Sequence, residues 1–150
     1  RMPCAIAAFA GLGPYGVMFT PLKRFDEPHD DRTARRIGAL EPDGCTRLGA
    51  VTRHATALIA AWPAPRRLLL VLSDGRPSDI DEYAGDYGIE DSARALHEAR
   101  MQGVTPFCLV VDDDAAPCLP RLFGAGRSRL LPDAAALPAA TIAWLRCAAR

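Results

Sequence analysis

Apolar positions along this 150-residue chain come in short runs that Gly, Pro and acidic residues separate. One of them, Leu68-Leu69-Leu70-Val71-Leu72, is a run of five aliphatic residues. It has no polar alternation and is too short for a helix or a membrane span, so it predicts a strand buried on both faces. The run stops on Ser73-Asp74-Gly75, which places the Asp74 carboxylate at the strand's C-terminal end, where open α/β sheets hold their ligands. Thr105 to Val111 repeats this form as a second buried strand, with Pro106 near its start, and ends on Asp112-Asp113-Asp114.

Around these strands the periodicity changes. Cys4 to Phe9 and Tyr15 to Leu22, joined by Ala10-Gly11-Leu12-Gly13-Pro14, predict an antiparallel hairpin. Asp30 and Asp31 are placed to cap a short helix from about Arg32 to Leu40. Leu48, Val51, Ala55, Leu58 and Trp62 form the stripe of an amphipathic helix that Pro63 and Pro65 end, with Thr46 at its N-terminal mouth. A loop runs to Gly88. Ile89, Ala93 and Leu96 mark the apolar face of a helix from about Ile89 to Gln102, stopped by Gly103. A short helix over Cys118 to Phe123, a short strand over Arg127 to Leu131 and a last helix over about Leu137 to Ala149 complete the pattern, the last with Ile142, Leu145 and Ala149 inward. Strands alternating with helices after a hairpin predict an α/β fold: a mostly parallel sheet with one antiparallel edge hairpin and helices on both faces.

With 49% hydrophobic residues the chain can bury one sizeable core, and a single domain over residues 1–150 is expected. Lys+Arg and Asp+Glu balance at 18 each, which excludes the basic field that a general nucleic-acid or anionic-membrane binder requires. The balance is uneven along the chain. Residues 74 to 98 carry eight acidic side chains against Arg76 and Arg94, whereas the last thirty residues carry five arginines against Asp133. No run approaches the roughly 18 apolar residues of a membrane span, so no membrane insertion is expected. Cys4, Cys45, Cys108, Cys118 and Cys147 are odd in number and form no close pair, which predicts reduced thiols in a cytoplasmic protein. A chain that opens on Arg1 and enters a strand almost at once predicts an N-terminally truncated piece of something longer.

Asp74 is the foremost candidate for chemistry. A carboxylate on a sheet's C-terminal edge, with a glycine behind it, can approach a hard cation, or it can hold the Ser73-Gly75 bend through its own backbone hydrogen bonds. Thr46 can offer a neutral oxygen to the same cation, or it can cap the helix that follows, and both roles draw on one hydroxyl. Asp79-Ile80-Asp81 has the spacing of metal-binding DxD pairs and equally that of a solvated loop. His29, His54 and His97 lie on separate elements, and no nucleophile motif or Gly-rich phosphate loop is present.

These residues together resemble the von Willebrand factor A domain, and more narrowly the C-terminal copy in nitric-oxide-reductase activation proteins and the related Rubisco-activation adaptors. The resemblance runs through Lys23-Arg24-Phe25-Asp26-Glu27-Pro28, Thr46-Arg47-Leu48-Gly49-Ala50 and Arg53-His54-Ala55. It is densest over Leu68 to Asp81, with Tyr83, Ile89-Glu90-Asp91 and Phe107-Cys108 beyond. It implies a three-layer Rossmann-like fold and a metal-ion-dependent adhesion site at the C-terminal sheet edge, with Thr46 and Asp74 as ligands to Mg²⁺ or another divalent cation. Arg76, Asp79 and Asp81 of the extended signature then become candidates for partner contact. The family's first metal loop, Asp-x-Ser-x-Ser after a central first strand, has no match here, so that strand is expected to be missing and the cation to be weakly held or absent. The function implied is a non-enzymatic adaptor. It would grip an acidic side chain on its target and work with a MoxR-type AAA+ ATPase to activate nitric oxide reductase or Rubisco. The alternative is a metal-dependent phosphoryl-transfer or nuclease domain using Asp74, Asp79 and Asp81.

Overall fold

The structure, a computed structural model, describes residues 3–74 and 76–148. Strands β1 (Ile6–Gly11) and β2 (Val17–Lys23) pair antiparallel around a 3-10 turn at Gly13–Tyr15, with Phe9 opposite Phe19. Then follow α1 (Asp31–Gly38), α2 (Leu48–Ala61), β3 (Arg67–Ser73), α3 (Gly85–Met101), β4 (Val104–Val110), α4 (Leu119–Phe123), β5 (Ser128–Leu130) and α5 (Leu137–Ala148). The last three strands form a parallel sheet in the order β3-β4-β5, with Leu70 opposite Phe107 and Cys108 opposite Ser128. Among the described residues the hairpin is a two-stranded sheet of its own. The α/β class, the parallel sheet and the antiparallel hairpin are those the sequence predicts.

Strand alternation sorts the core into two layers. Leu69, Val71, Cys108 and Val110 face α2, α3 and α4, where Leu48, Leu96, Leu122 and Phe123 close the larger cluster. Leu70, Phe107 and Leu109 face the other way, toward Leu131, Leu137 and Ala140, and Trp144 of α5 stacks on Phe107 at 5.2 Å between centroids. Helices therefore cover both faces, unequally. Phe9, Val17 and Phe19 of the hairpin pack against the larger cluster.

The expectation that Leu68 to Leu72 is buried throughout is corrected. Only Val71 is buried and Leu72 is 53% exposed, because among the described residues β3 is an edge strand whose second face lies over the thinly covered layer. Ile142, expected inward, is half-exposed, and α5 buries Ala140 instead. Ala149 and Gly75 lie outside the described residues. The predicted loop up to Gly88 is shorter than expected, since α3 already begins at Gly85 and Gly88 is buried within it. Asp30 caps α1 as expected, its carboxylate accepting from the Thr33 amide at 3.0 Å, a bond worth about 1 kcal/mol.

Candidate functional site: the loops at the C-terminal sheet edge

The parallel topology delivers Asp74 to the C-terminal end of β3, where its side chain is exposed and accepts from the Ser73 hydroxyl at 3.4 Å. Thr46 lies in the loop ahead of α2 and is half-buried. Its carbonyl accepts from the Ser78 amide at 3.1 Å, which ties this loop to the one leaving β3. Thr46 is not the helix cap. Arg47 holds that position without a side-chain capping bond, so the Thr46 hydroxyl is released from the competition the sequence suggests. The Arg76 guanidinium reaches the Asp114 carbonyl, Nε at 3.0 Å, and joins the β3 loop to the β4 loop.

Asp79 and Asp81 turn to Arg47. The Asp79 side chain has no exposed surface. Its Oδ2 accepts from Arg47 Nε at 2.7 Å, and its Oδ1 accepts from the amides of Gly13 and Ile80, each at 2.8 Å. Arg47 Nη2 donates to Asp81, and the guanidinium lies over the Tyr83 ring, 4.5 Å from its centroid. Burial alone would raise the Asp79 carboxyl. The Arg47 hydrogen bond, followed by the Ile80 and Gly13 amides, outweighs it and holds the group below the usual carboxylate range. The hydrogen bond to Asp79, joined by the one to Asp81, raises the Arg47 guanidinium further.

A second polar layer continues inward. The Tyr83 hydroxyl accepts from the Gly49 amide at 3.0 Å, donates to Asp91 Oδ2 at 2.7 Å and lies 3.2 Å from the Ser92 hydroxyl. Burial pushes this phenol up to about 12. Arg53 pairs with Asp91 and Glu98, each at 2.8 Å. Two glycines make the approach possible. A Cβ on Gly49 would sit 1.9 Å from Asp91 Oδ2, and Gly13, at φ +63°, brings its backbone against Ile80, where a Cβ would meet Cγ1 at 2.6 Å.

Of the five residues singled out from sequence, the structure thus brings Asp79 and Asp81 together on Arg47 and leaves Asp74 apart from that group. Sequence reasoning missed Arg47, Tyr83, Gly13 and Gly49 as structural partners. Tyr83 carries the one local hint, an aromatic hydroxyl in an acidic loop that requires a partner once buried. Mg²⁺ takes about six oxygens in octahedral geometry. Thr46 and Asp74 supply two, and the described residues contain no group of three or more His, Cys, Asp or Glu able to hold a metal ion. Among the described residues these donors do not by themselves fit a tightly held cation.

Among the described residues no helix is long and apolar enough to cross a membrane. No protein-family model and no solved structure matches the chain. Curated proteins do. The chain is 45% identical over 136 residues to an uncharacterized protein of Pseudomonas aeruginosa. It is 43% identical over 140 residues to Protein NorD of Stutzerimonas stutzeri and 43% over 143 residues to Protein NorD of Brucella suis. These alignments cover 91%, 92% and 95% of the chain but only 22–23% of each relative. The chain therefore spans less than a quarter of the length of the curated relatives it matches.

Proposed function

We propose that this chain is an adaptor module of the nitric-oxide-reductase activation type, a von Willebrand factor A-like unit that binds a protein partner at the C-terminal edge of its parallel sheet. The observation that carries this is its 43% identity, over 95% of its length, to proteins named NorD. The module works in the cytoplasm beside a MoxR-type AAA+ ATPase, which supplies the mechanical work while the module recognises the target. Between the targets implied by the resemblance, the NorD relatives favour nitric oxide reductase over Rubisco. Its role on this reading is binding: Asp79, which a phosphoryl-transfer site would need, is buried with both carboxylate oxygens engaged by Arg47 and by the Gly13 and Ile80 amides.

Thr46 and Asp74 supply the polar contacts of the edge. Gripping a partner's acidic side chain through Mg²⁺ requires donors beyond these two. Titration of Mg²⁺ into this chain, followed by calorimetry, is therefore expected to show no binding tighter than millimolar. The function is tested in the full-length protein by Asp74→Ala and Thr46→Ala. Activation of nitric oxide reductase in cells lacking the wild-type copy should fall at least tenfold, while the ATPase partner's basal hydrolysis persists. Full activation by both variants would refute the role of this edge.

A further inference from the structure

The hairpin turn and the loop after β3 meet at one point, and large apolar side chains stand out there. Tyr15 is 89% exposed, Ile80 74% and Leu12 42%. Exposed apolar groups that cluster mark contact surfaces more often than scattered ones do. The cluster is fixed from below. Ile80 packs on the Cα of Gly13, the Gly13 amide donates to Asp79, and Asp79 is held by Arg47. The Leu12 amide also closes the turn onto the Gly16 carbonyl at 3.0 Å. A surface held this way has little conformational freedom left to lose on binding.

The charges beside it are mostly acidic. Asp74, Asp81 and Glu82 are exposed along the same loop. Two arginines stand against them, Arg76 on the same loop and Arg47 from the loop ahead of α2. Arg47 is already shared by Asp79 and Asp81, and Arg76 keeps its charge while donating to the neutral Asp114 carbonyl, so Asp74, Asp79, Asp81 and Glu82 outweigh the two arginines. The rim is therefore net acidic and attracts positive charge.

We infer that Leu12, Tyr15 and Ile80 form a preformed docking knuckle, held by the Arg47–Asp79 pair, for a partner segment that places an apolar side chain beside a Lys or Arg. This rests on the adaptor reading and gives its partner a chemistry opposite to an acidic residue gripped through a metal. Electrostatic complementarity of this kind speeds encounter and weakens with salt.

Two labelled peptides of equal length, one repeating Leu and Lys and the other Leu and Glu, test this against the full-length protein by fluorescence anisotropy, with and without EDTA. The Leu/Lys peptide should bind, with or without EDTA, and weaken as salt rises. Binding should fall at least tenfold in Tyr15→Ser and Ile80→Ser, whose exposed positions leave the fold intact. Asp79→Asn should weaken it too, and Asp81→Asn is the companion variant should Asp79→Asn fail to fold. Equal binding by wild type and Ile80→Ser would overturn the proposal. So would preference for the Leu/Glu peptide, loss of binding in EDTA, or a second copy of the chain occupying the knuckle, seen as self-association that Ile80→Ser abolishes. These outcomes are separable from the activation assay, which reports on Asp74 and Thr46 and does not depend on peptide charge.

Discussion

Asp79 shows how far one residue's role can depend on what folds around it. In the sequence it is half of a DxD pair in a polar loop. In the fold its four acceptor directions are largely taken by Arg47 and two amides, one of them 66 residues away at Gly13. Breaking such a pair by removing one partner exposes the other to desolvation without compensation. Asp79→Asn should therefore destabilise the chain at neutral pH by about 2–3 kcal/mol, less than a fully buried pair, because Arg47 keeps Asp81 and some solvent. The pH dependence follows from the lowered carboxyl. Its contribution is complete above the unfolded value of about 3.9 and is lost as pH falls through the lower folded value. Urea unfolding at pH 7 and near pH 3 should show the gap between wild type and Asp79→Asn closing in acid. A gap that stays constant would mean that Asp79's charge contributes nothing.

At the scale of elements, α2 departs most from its sequence pattern. The stripe through Leu58 predicts one buried face, yet Leu58 is 47% exposed, while Thr52 and Thr56 are 1% exposed. The helix has turned toward α3, where Ser92, Ala95 and Ala99 are small enough to admit it and Gly49 clears space for Asp91. Neither threonine hydroxyl has a hydrogen-bond partner among the described residues. Thr52→Val and Thr56→Val remove those hydroxyls while keeping the branched shape, and each should stabilise the chain by about 1 kcal/mol, read as a higher urea midpoint with unchanged slope. Loss of stability in either would show that its hydroxyl is bonded in solution. The elements themselves were legible. Strand runs, the Asp30 cap, and the Pro and Gly stops carry local signals, and boundaries moved by a few residues. What stayed hidden was which face each helix presents, since that is decided by the side-chain size of a neighbour far along the chain.

The molecule as a whole joins two sheets of unequal security. β4 pairs with β3 along its length and with β5 over Cys108 to Val110, where each residue is 1% exposed or less. The hairpin is held by its own ladder, by the Gly11–Cys45 bridge, by Gly13 on Asp79, and by Phe19, which meets His54 edge-on at 4.6 Å between centroids. Sequence alone placed Asp74 and Thr46 on one edge through topology, but not the joint between hairpin and sheet, which depends on contacts without a local pattern. Opening the hairpin breaks few long-range hydrogen bonds and uncovers Phe9, Val17 and Phe19. Opening β4 dismantles both core layers. Native-state amide exchange should therefore report two units. Amides of Ala8 to Ala10 and Met18 to Thr20 should exchange with a lower opening free energy and a shallower urea dependence than those of Cys108 to Val110. Asp79→Asn should lower the hairpin's opening energy by severing its joint to the loop, with the shallow urea dependence retained. Equal free energies and slopes for both groups would mean that hairpin and sheet unfold together. The docking knuckle would then be held by the whole core, with Arg47 and Asp79 contributing only part of its rigidity.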